Sequence, residues 1–443
     1  MKKALTFFRA IFISAIIGLN SFIVTSCFQS STIVYGNYES YMSPDIAKKV
    51  AKDHGVTFDV YGTDDNVASD FKNNIYDIGT VSAAVLVEMQ KKGLLKKIDW
   101  NKLKELKKRK SEDEVKNEED PCNWFTDAIK KISNSYEIDI LEYGVPYFVQ
   151  SFVFAYWSKE SLPDEIQTWE EILNWIKNNS SGFFEGRQRL ICVEDPRSLF
   201  SVSDLIYHSS DRSDNNATDK EKNGCVQDVL RKYNSVFSSF TKLLSRKALN
   251  WSRNVALMNS DGTIVANELA SHGAAGGFMF NGDALLAAHG GEYYESDSPL
   301  PGVNFYVIHP NPTPITLDMI VINENSSKEK MERIYKTIFD IAIDKENAFD
   351  NFDEVQYTSP LVSVNEMIQE KNDDGNNYWD DLVDDNPSFK KVKEEEKDKI
   401  ELIINQLKKI YEIPADIICV EEPFSDVQKV ALGLSFANFK NQL

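Results

Sequence analysis

Two carboxylates and a set of aromatic rings stand out by residue type and position. Asp318 interrupts ITLDMIVIN, residues 315–323, a run otherwise dominated by apolar and β-branched residues. A charge inside a buried strand is costly unless an opposite charge or hydrogen-bond donors meet it. Asp195 follows the apolar stretch RLICV and stands directly before Pro196. Tyr38, Tyr41, Ser82, Phe280 and Tyr357 fall at or near the ends of strand-like segments or at the start of a loop. Two acids with aromatic faces between them make a cage for a diamine. Each ammonium group needs a charge-assisted bond, and the rings attract both the cation and its methylene chain, at roughly 0.5–2 kcal/mol per cation–ring contact. Every one of these residues also has a purely structural reading. Asp195 and Ser82 suit helix N-caps, and Tyr38, Tyr41 and Phe280 suit ordinary packing. Tyr357 suits a loop anchor, and Asp318 suits a partnership with a backbone N–H or a lysine.

Other chemistry is missing. The chain has no H-E-x-x-H and no G-x-S-x-G, and the glycines of GGFMFNGDALLAAHGG, residues 276–291, form neither G-x-G-x-x-G nor a P-loop. The five histidines, His54, His208, His272, His289 and His309, are far apart in sequence. Beyond Cys27, the cysteines Cys122, Cys192, Cys225 and Cys419 are scattered, with no metal-ligand spacing and no readable pairing. These absences argue against an enzyme, and no catalytic residue, metal or cofactor is assigned.

The elements that must position the acids and rings follow a repeating order. STIVYGNY reads as a strand, and Ser43-Pro44 as the N-cap and first position of a helix that stops at Gly55. VTFDVYG is a second strand, Asp64 and Asp65 are caps for a helix at about 66–73, and IYDIGTV is a third strand with Ser82 capping the helix after it. This alternation predicts a parallel sheet with helices on both faces and a ligand site beyond the carboxyl ends of the strands. Residues 103–120 are a charge run, read as a solvated helix or loop. ILEYGVPYFVQSFVFAYW, residues 140–157, is a long aromatic strand able to cross between two lobes. Thr168 and Glu171 form a capping box, and Asn281-Gly282 reads as a turn. ITLDMIVIN is a strand followed by helices at about 327–347, and the tail to 443 is mostly helical with an acidic stretch at 370–398.

At 443 residues the chain exceeds one ordinary core, so two lobes are expected. A formal net charge of −20 argues against nucleic acid and allows a cationic ligand. The first 27 residues carry Lys2, Lys3 and Arg9, then an apolar run, then Val24-Thr25-Ser26-Cys27. This is the pattern of a secretory signal, and the last four residues resemble the lipobox of bacterial lipoproteins. That resemblance implies cleavage before Cys27, lipidation of its sulfur, and a chain held on the outer face of the cell membrane, with acyl chains such as palmitate as the anchor. Residues 28–443 contain no second apolar run of membrane-spanning length.

Seven segments, in order, resemble the solute-binding proteins of spermidine/putrescine ABC importers: NYESYMSPDIAKKVAKDHGVTF, NNIYDIGTVSAAVLVEMQKKGLLKKIDW, YGVPYFVQSFVFAYW, TWEEILN, FMFNGDALLAAHGG, ITLDMIVIN and QYTSPLVSVN. The similarity spans most of residues 33–365. It implies an α/β, two-lobed, periplasmic-binding-protein-like clamp of type II, with the ligand in a cleft between lobes joined by crossing strands. By the same resemblance lobe 1 comprises 31–149 and 317–365, lobe 2 comprises 150–316, and 366–443 is a helical C-terminal part packing mainly on lobe 2. Tyr38, Tyr41, Ser82, Asp195, Phe280, Asp318 and Tyr357 each match a ligand-contacting position of that family. The implied role is capture of a polyamine outside the cell by a monomer, which hands it to permease subunits in the membrane. Three positions depart from the pattern: Ser198 stands for a Glu, Thr316 for a Trp and Ala84 for a Tyr. Glu194 is the candidate replacement for the lost acid. These departures leave open another solute, such as thiamine or a different cation, or a surface lipoprotein without a transport role.

Overall fold

The computed structural model describes residues 32–110, 120–158, 161–183, 189–210, 226–245, 256–271, 273–290, 305–385 and 397–443. Cys27 and its flanking signal, Cys225, and most of the 208–224 loop lie outside the described residues, as do 111–119 of the charge run and 386–396 of the acidic stretch.

Among the described residues the strands are β1 (Ile33–Tyr38), β2 (Val56–Tyr61), β3 (Ile78–Ser82), β4 (Gly144–Trp157), β5 (Leu190–Val193), β6 (Ala256–Asn259), β7 (Gly276–Phe280), β8 (Phe305–Ile308), β9 (Thr313–Ile322) and β10 (Ile418–Val420). They form one continuous, mixed sheet in the order β2-β1-β3-β9-β4-β7-β5-β6, with β8 beside β4 and β10 beside β9. The fold is mixed α/β, as expected.

The middle of this sheet is set by β4. All 14 of its residues are buried, so it reads as a continuous apolar and aromatic run instead of an alternating one. Residues Gly144–Ser151 run antiparallel to β9, and Phe152–Trp157 run antiparallel to β7 and β8. One strand therefore belongs to both halves of the sheet. The pairing with β9 is irregular between Pro146 and Phe148, where the proline supplies no N–H for a ladder bond. On its other edge β9 is antiparallel to β3, which places Ser82 opposite Asp318. Phe148 of β4 is the partner of Asp318 on the near side.

The helices needed below are α1 (Pro44–His54), α2 (Val67–Lys72), α3 (Ala83–Lys91), α4 (Trp100–Lys110), α5 (Asp127–Asn134), α6 (Trp169–Phe183), α7 (Pro196–Ser210), α8 (Val226–Leu244), α9 (Gly262–Ala270) and α10 (Asn281–Ala288). After β9 come α11 (Met331–Ala342), α12 (Lys345–Val355), α13 (Val362–Gln369), α14 (Tyr378–Asp385), α15 (Lys397–Tyr411) and α16 (Asp426–Lys440). The helices expected at about 327–347 are α11 and α12, with Asp344 capping α12 through the N–H of Asn347. In the tail, α15 packs on α10 and β8, and α16 packs on α7 and α8.

Local signals work where no tertiary partner competes. Gly55 ends α1 at φ 66°, a left-handed conformation that costs glycine least. Thr168 and Glu171 bond reciprocally across the start of α6. Ser43 occupies the N-cap of α1 without a side-chain cap bond, and its own N–H donates to Asn351 Oδ1 instead. The Asn281-Gly282 pair is not a turn but the first turn of α10. Asn281 is fully buried. Its Oδ1 accepts the N–H of Ser151, and its Nδ2 donates to Thr358 Oγ1 and to the Ile410 carbonyl. Gly282 is required because the Tyr357 ring lies over it, and a Cβ there would meet that ring at 2.0 Å.

Asn281 therefore ties β4, the 357–361 loop and α15 to one side chain. Replacing it with alanine strands several buried polar groups, each worth roughly 1–3 kcal/mol when unpaired. Asn281→Ala should lower the unfolding free energy by about 2–4 kcal/mol in equilibrium urea denaturation, and a change under about 0.5 kcal/mol would contradict this account.

Candidate functional site

Asp318 is 1% exposed. Its Oδ2 accepts from Tyr41 Oη at 2.5 Å and from Gln150 Nε2 at 2.5 Å. Neither the backbone N–H nor the lysine considered from sequence is its partner, and among the ion pairs of the described residues none includes it. Burial is the main force raising its pKa to about 7. The bonds from Tyr41 and Gln150 work the other way, while the charges of Asp64 and Asp195 push it further up.

Tyr41 is the hub of the aromatic wall. Its ring meets Tyr38 edge-on at 5.2 Å, Phe148 at 5.3 Å and Tyr357 at 5.3 Å. Tyr38 in turn meets Tyr61 at 5.1 Å, and Tyr147 fixes the loop by donating to the Tyr41 carbonyl. The tyrosines follow β1 because that strand ends at Tyr38 and α1 begins only at Pro44. Tyr357 donates to Asp283 Oδ1 at 2.9 Å. Burial raises the Asp283 carboxyl to about 7 as well. Phe280 closes the end of β7, half-buried, with its ring edge-on to Phe152 at 5.4 Å.

Ser82 does cap α3, through the N–H of Val85. It also donates its N–H and Oγ to Asp64 Oδ2, at 3.0 and 2.9 Å. Asp64 was expected to cap the next helix; the segment instead opens with a 3₁₀ turn, Asp64–Asn66, before α2, and its carboxylate faces Ser82. Asp195 likewise caps its helix, accepting the N–H of Ser198 at 2.6 Å. Its pKa is raised by burial, lowered by the Ser198 bonds and Arg197, and raised by Asp64.

The sequence reading missed Glu421. This tail residue, just past β10, is buried, and Ser198 Oγ donates to it at 2.9 Å. Burial first, then the nearby Asp195 charge, pushes its carboxyl up to about 8, with Arg197 opposing. Glu194, the suggested substitute acid, is paired instead with Lys440 of α16 at 2.5 Å. Ser198, an uncharged donor where an acid was expected, bonds the Glu421 carboxyl instead.

Of the seven expected residues, Tyr38, Tyr41, Asp318 and Tyr357 form one contact group. Ser82 joins it through Asp64, and Asp195 through the electrostatic coupling of Asp64, Asp195 and Asp318. Phe280 reaches this group only through α10, where Gly282 underlies Tyr357. Gln150 carried the same signal as Asp318, a lone amide in an apolar strand, and Glu421 carried none. Among the described residues no cluster of His, Cys, Asp and Glu is arranged to hold a metal ion, and Cys122, Cys192 and Cys419 are free thiols. No helix among the described residues is long and apolar enough to cross a membrane.

Comparison with solved structures finds the same fold in three bacterial proteins. One is described as a spermidine/putrescine ABC transporter from Listeria monocytogenes (TM-score 0.57, 15% identity, 93% of this chain and 99% of that one). The second is the spermidine/putrescine ABC transporter substrate-binding protein PotD of Streptococcus pneumoniae (0.55, 14%, 93% and 99%). The third is the Tp0655 (TpPotD) lipoprotein of Treponema pallidum (0.55, 13%, 92% and 99%). At these identities the likeness is one of fold. A family model described as hypothetical lipoprotein (MG045 family) matches residues 1–385. No curated protein matches the sequence.

A carboxyl whose pKa is raised on folding stabilises the folded state in its protonated form. That contribution is full below its unfolded pKa of about 4 and is lost as pH rises through about 7. For the ligand-free protein, the melting temperature should therefore fall between pH 4 and about 8, with Asp318 and Asp283 acting up to about 7 and Glu421 up to about 8. Asp318→Asn should flatten that slope and stabilise the protein at pH 8 by on the order of 1–3 kcal/mol. A steeper slope in the variant would contradict the assignment.

Proposed function

The chain belongs to the MG045 family of hypothetical lipoproteins, and on that premise we propose that it is the substrate-binding component of an ABC importer, capturing a polyamine outside the cell. The carrying observation is Asp318, a buried acid in a central strand that has neutral hydrogen-bond donors and no cation among its described partners. One ammonium group of the ligand pairs with Asp318. The other pairs with the acids Asp195 and Glu421, and Asp64 adds negative charge between them. The methylene chain lies along Tyr38, Tyr41 and Tyr357, and Phe280 bounds the far side. No bond is made or broken, so the role is binding and not catalysis.

Two further parts of the reading concern how capture works. Residues 31–149 with 317–365 act as one lobe, and 150–316 with the helical tail as the other. β4 and β9 are the crossing strands about which they close, and contacts made only in the closed form bias the equilibrium. Cys27 carries the lipid anchor that keeps the receptor at the outer membrane face, next to the permease to which it delivers its ligand.

Titration calorimetry of residues 28–443 with putrescine, spermidine, spermine and thiamine tests this. Saturable one-to-one heat with a polyamine, abolished in Asp318→Asn, is the expected result; micromolar affinity corresponds to about 8 kcal/mol. Silence with the three polyamines and heat with thiamine would assign the site to another cation, and the smaller side chains Ala84, Ser198 and Thr316 would be the reason.

The acids that receive the amines are protonated at low pH. Affinity should therefore weaken as pH falls below about 7, by up to about tenfold per pH unit for each carboxyl that must ionise. Affinity independent of pH between 5 and 8 would exclude Asp318 as the amine's partner.

A further inference from the structure

The acid at 421 is delivered by a tail segment whose position is set from elsewhere in the chain. Glu88 lies on α3, directly after β3, and is 5% exposed. Its Oε1 accepts the N–H of Phe424 at 2.7 Å and Arg197 Nη2 at 3.2 Å. Its Oε2 is ion-paired with Lys429 of α16. Arg197 donates its other terminal nitrogen to the Glu422 carbonyl at 2.8 Å, and its guanidinium lies over the Phe424 ring at 4.6 Å. A second grip comes from Tyr136, whose hydroxyl donates to the carbonyl of Glu421 at 3.0 Å.

One carboxylate on α3 therefore holds the tail backbone directly at 424 and, through Arg197, at 422. It also holds the helix that follows through Lys429. Buried ion pairs are weak sources of net stability and are often matched by apolar replacements, so stability alone is a poor reason for this cluster. What the cluster does fix is geometry. Glu421 lies between the gripped positions and the end of β10, and its side chain meets Ser198 beside Asp195.

Resting on the polyamine-receptor reading above, we propose that Glu88 is a positioning residue for ligand capture: from α3 it fixes the 421–424 segment, so that Glu421 completes the Asp195 end of the site only when the α3 side and the α7–tail side have closed on each other. Glu88 itself touches no ligand. Loss of its charge leaves Glu421 present but misplaced, and the closed form releases its amine sooner.

The test is a double-mutant cycle of Glu88→Gln and Glu421→Gln, read with putrescine and spermidine by calorimetry and stopped-flow. Each single change should weaken binding about tenfold or more, mainly through faster release, and the double variant should bind no worse than the weaker single. Losses that multiply, or wild-type affinity in Glu88→Gln, would overturn the proposal. A purely structural role for Glu88 would lower the melting temperature without coupling to Glu421. Lys429→Met keeps Arg197 and Phe424 bonded to Glu88 and guards against misfolding of the Glu88 variant. It should speed release in the same direction by a smaller factor, and an unchanged release rate would also overturn the proposal. If the wild-type chain gives no heat with either amine, the polyamine reading itself fails and this inference falls with it; binding with an additive cycle removes only the role of Glu88.

Discussion

The carboxylate of Asp318 cannot be both ionised and dry without help, and its described neighbours give it only neutral help. A tyrosine hydroxyl and an amide donate to it, and the nearby charges of Asp64 and Asp195 have its own sign. The surrounding architecture follows from keeping such a group in place. It sits on β9 between β3 and β4, where strands on both sides hold the backbone and no loop can swing the acid out to water. Tyr41, the donor, is braced by three further rings and by Tyr147 through its carbonyl. The result is a buried socket whose carboxyl holds its proton up to about pH 7.

The second acidic end is built differently. Asp195 and Ser198 come from the start of α7, Glu421 from the tail, and Arg197 moderates their repulsion while committed to Glu88. The Asp318 end is thus local to the sheet, whereas the Asp195 end is assembled from segments more than two hundred residues apart.

How far the sequence carried these conclusions depended on the range of each interaction. The opening β-α-β units, the stop at Gly55, the box at Thr168 and Glu171, and the long strand through 144–157 are encoded in contiguous residues, and all were readable. Asp318 was readable because a charge in an apolar strand is conspicuous wherever its partner lies. Ser43 holds the N-cap position read for it, though without a side-chain cap bond, whereas Asn281 was misread because its local role as a turn lost to distant partners, Ser151, Thr358 and Ile410. Glu194 and Asp195 are adjacent and chemically alike, yet one turns to Lys440 and the other to Ser198. At the end of a strand one residue decides the face. Glu421 had no local mark, since its place depends on β10 finding β9 and on Glu88 holding the segment beyond.

The pairing of β10 with β9 has a consequence for biogenesis. Residues 418–420 add to the edge of a strand at Thr313–Ile315 that is complete about a hundred residues earlier in the chain. During synthesis from the N-terminus, both strands that flank Asp318 are made before the acid at 421. Asp64, Asp195 and Asp318 are thus all made before the tail acid that adds to their repulsion. The full crowding of these acids arises only when the tail docks beside β9.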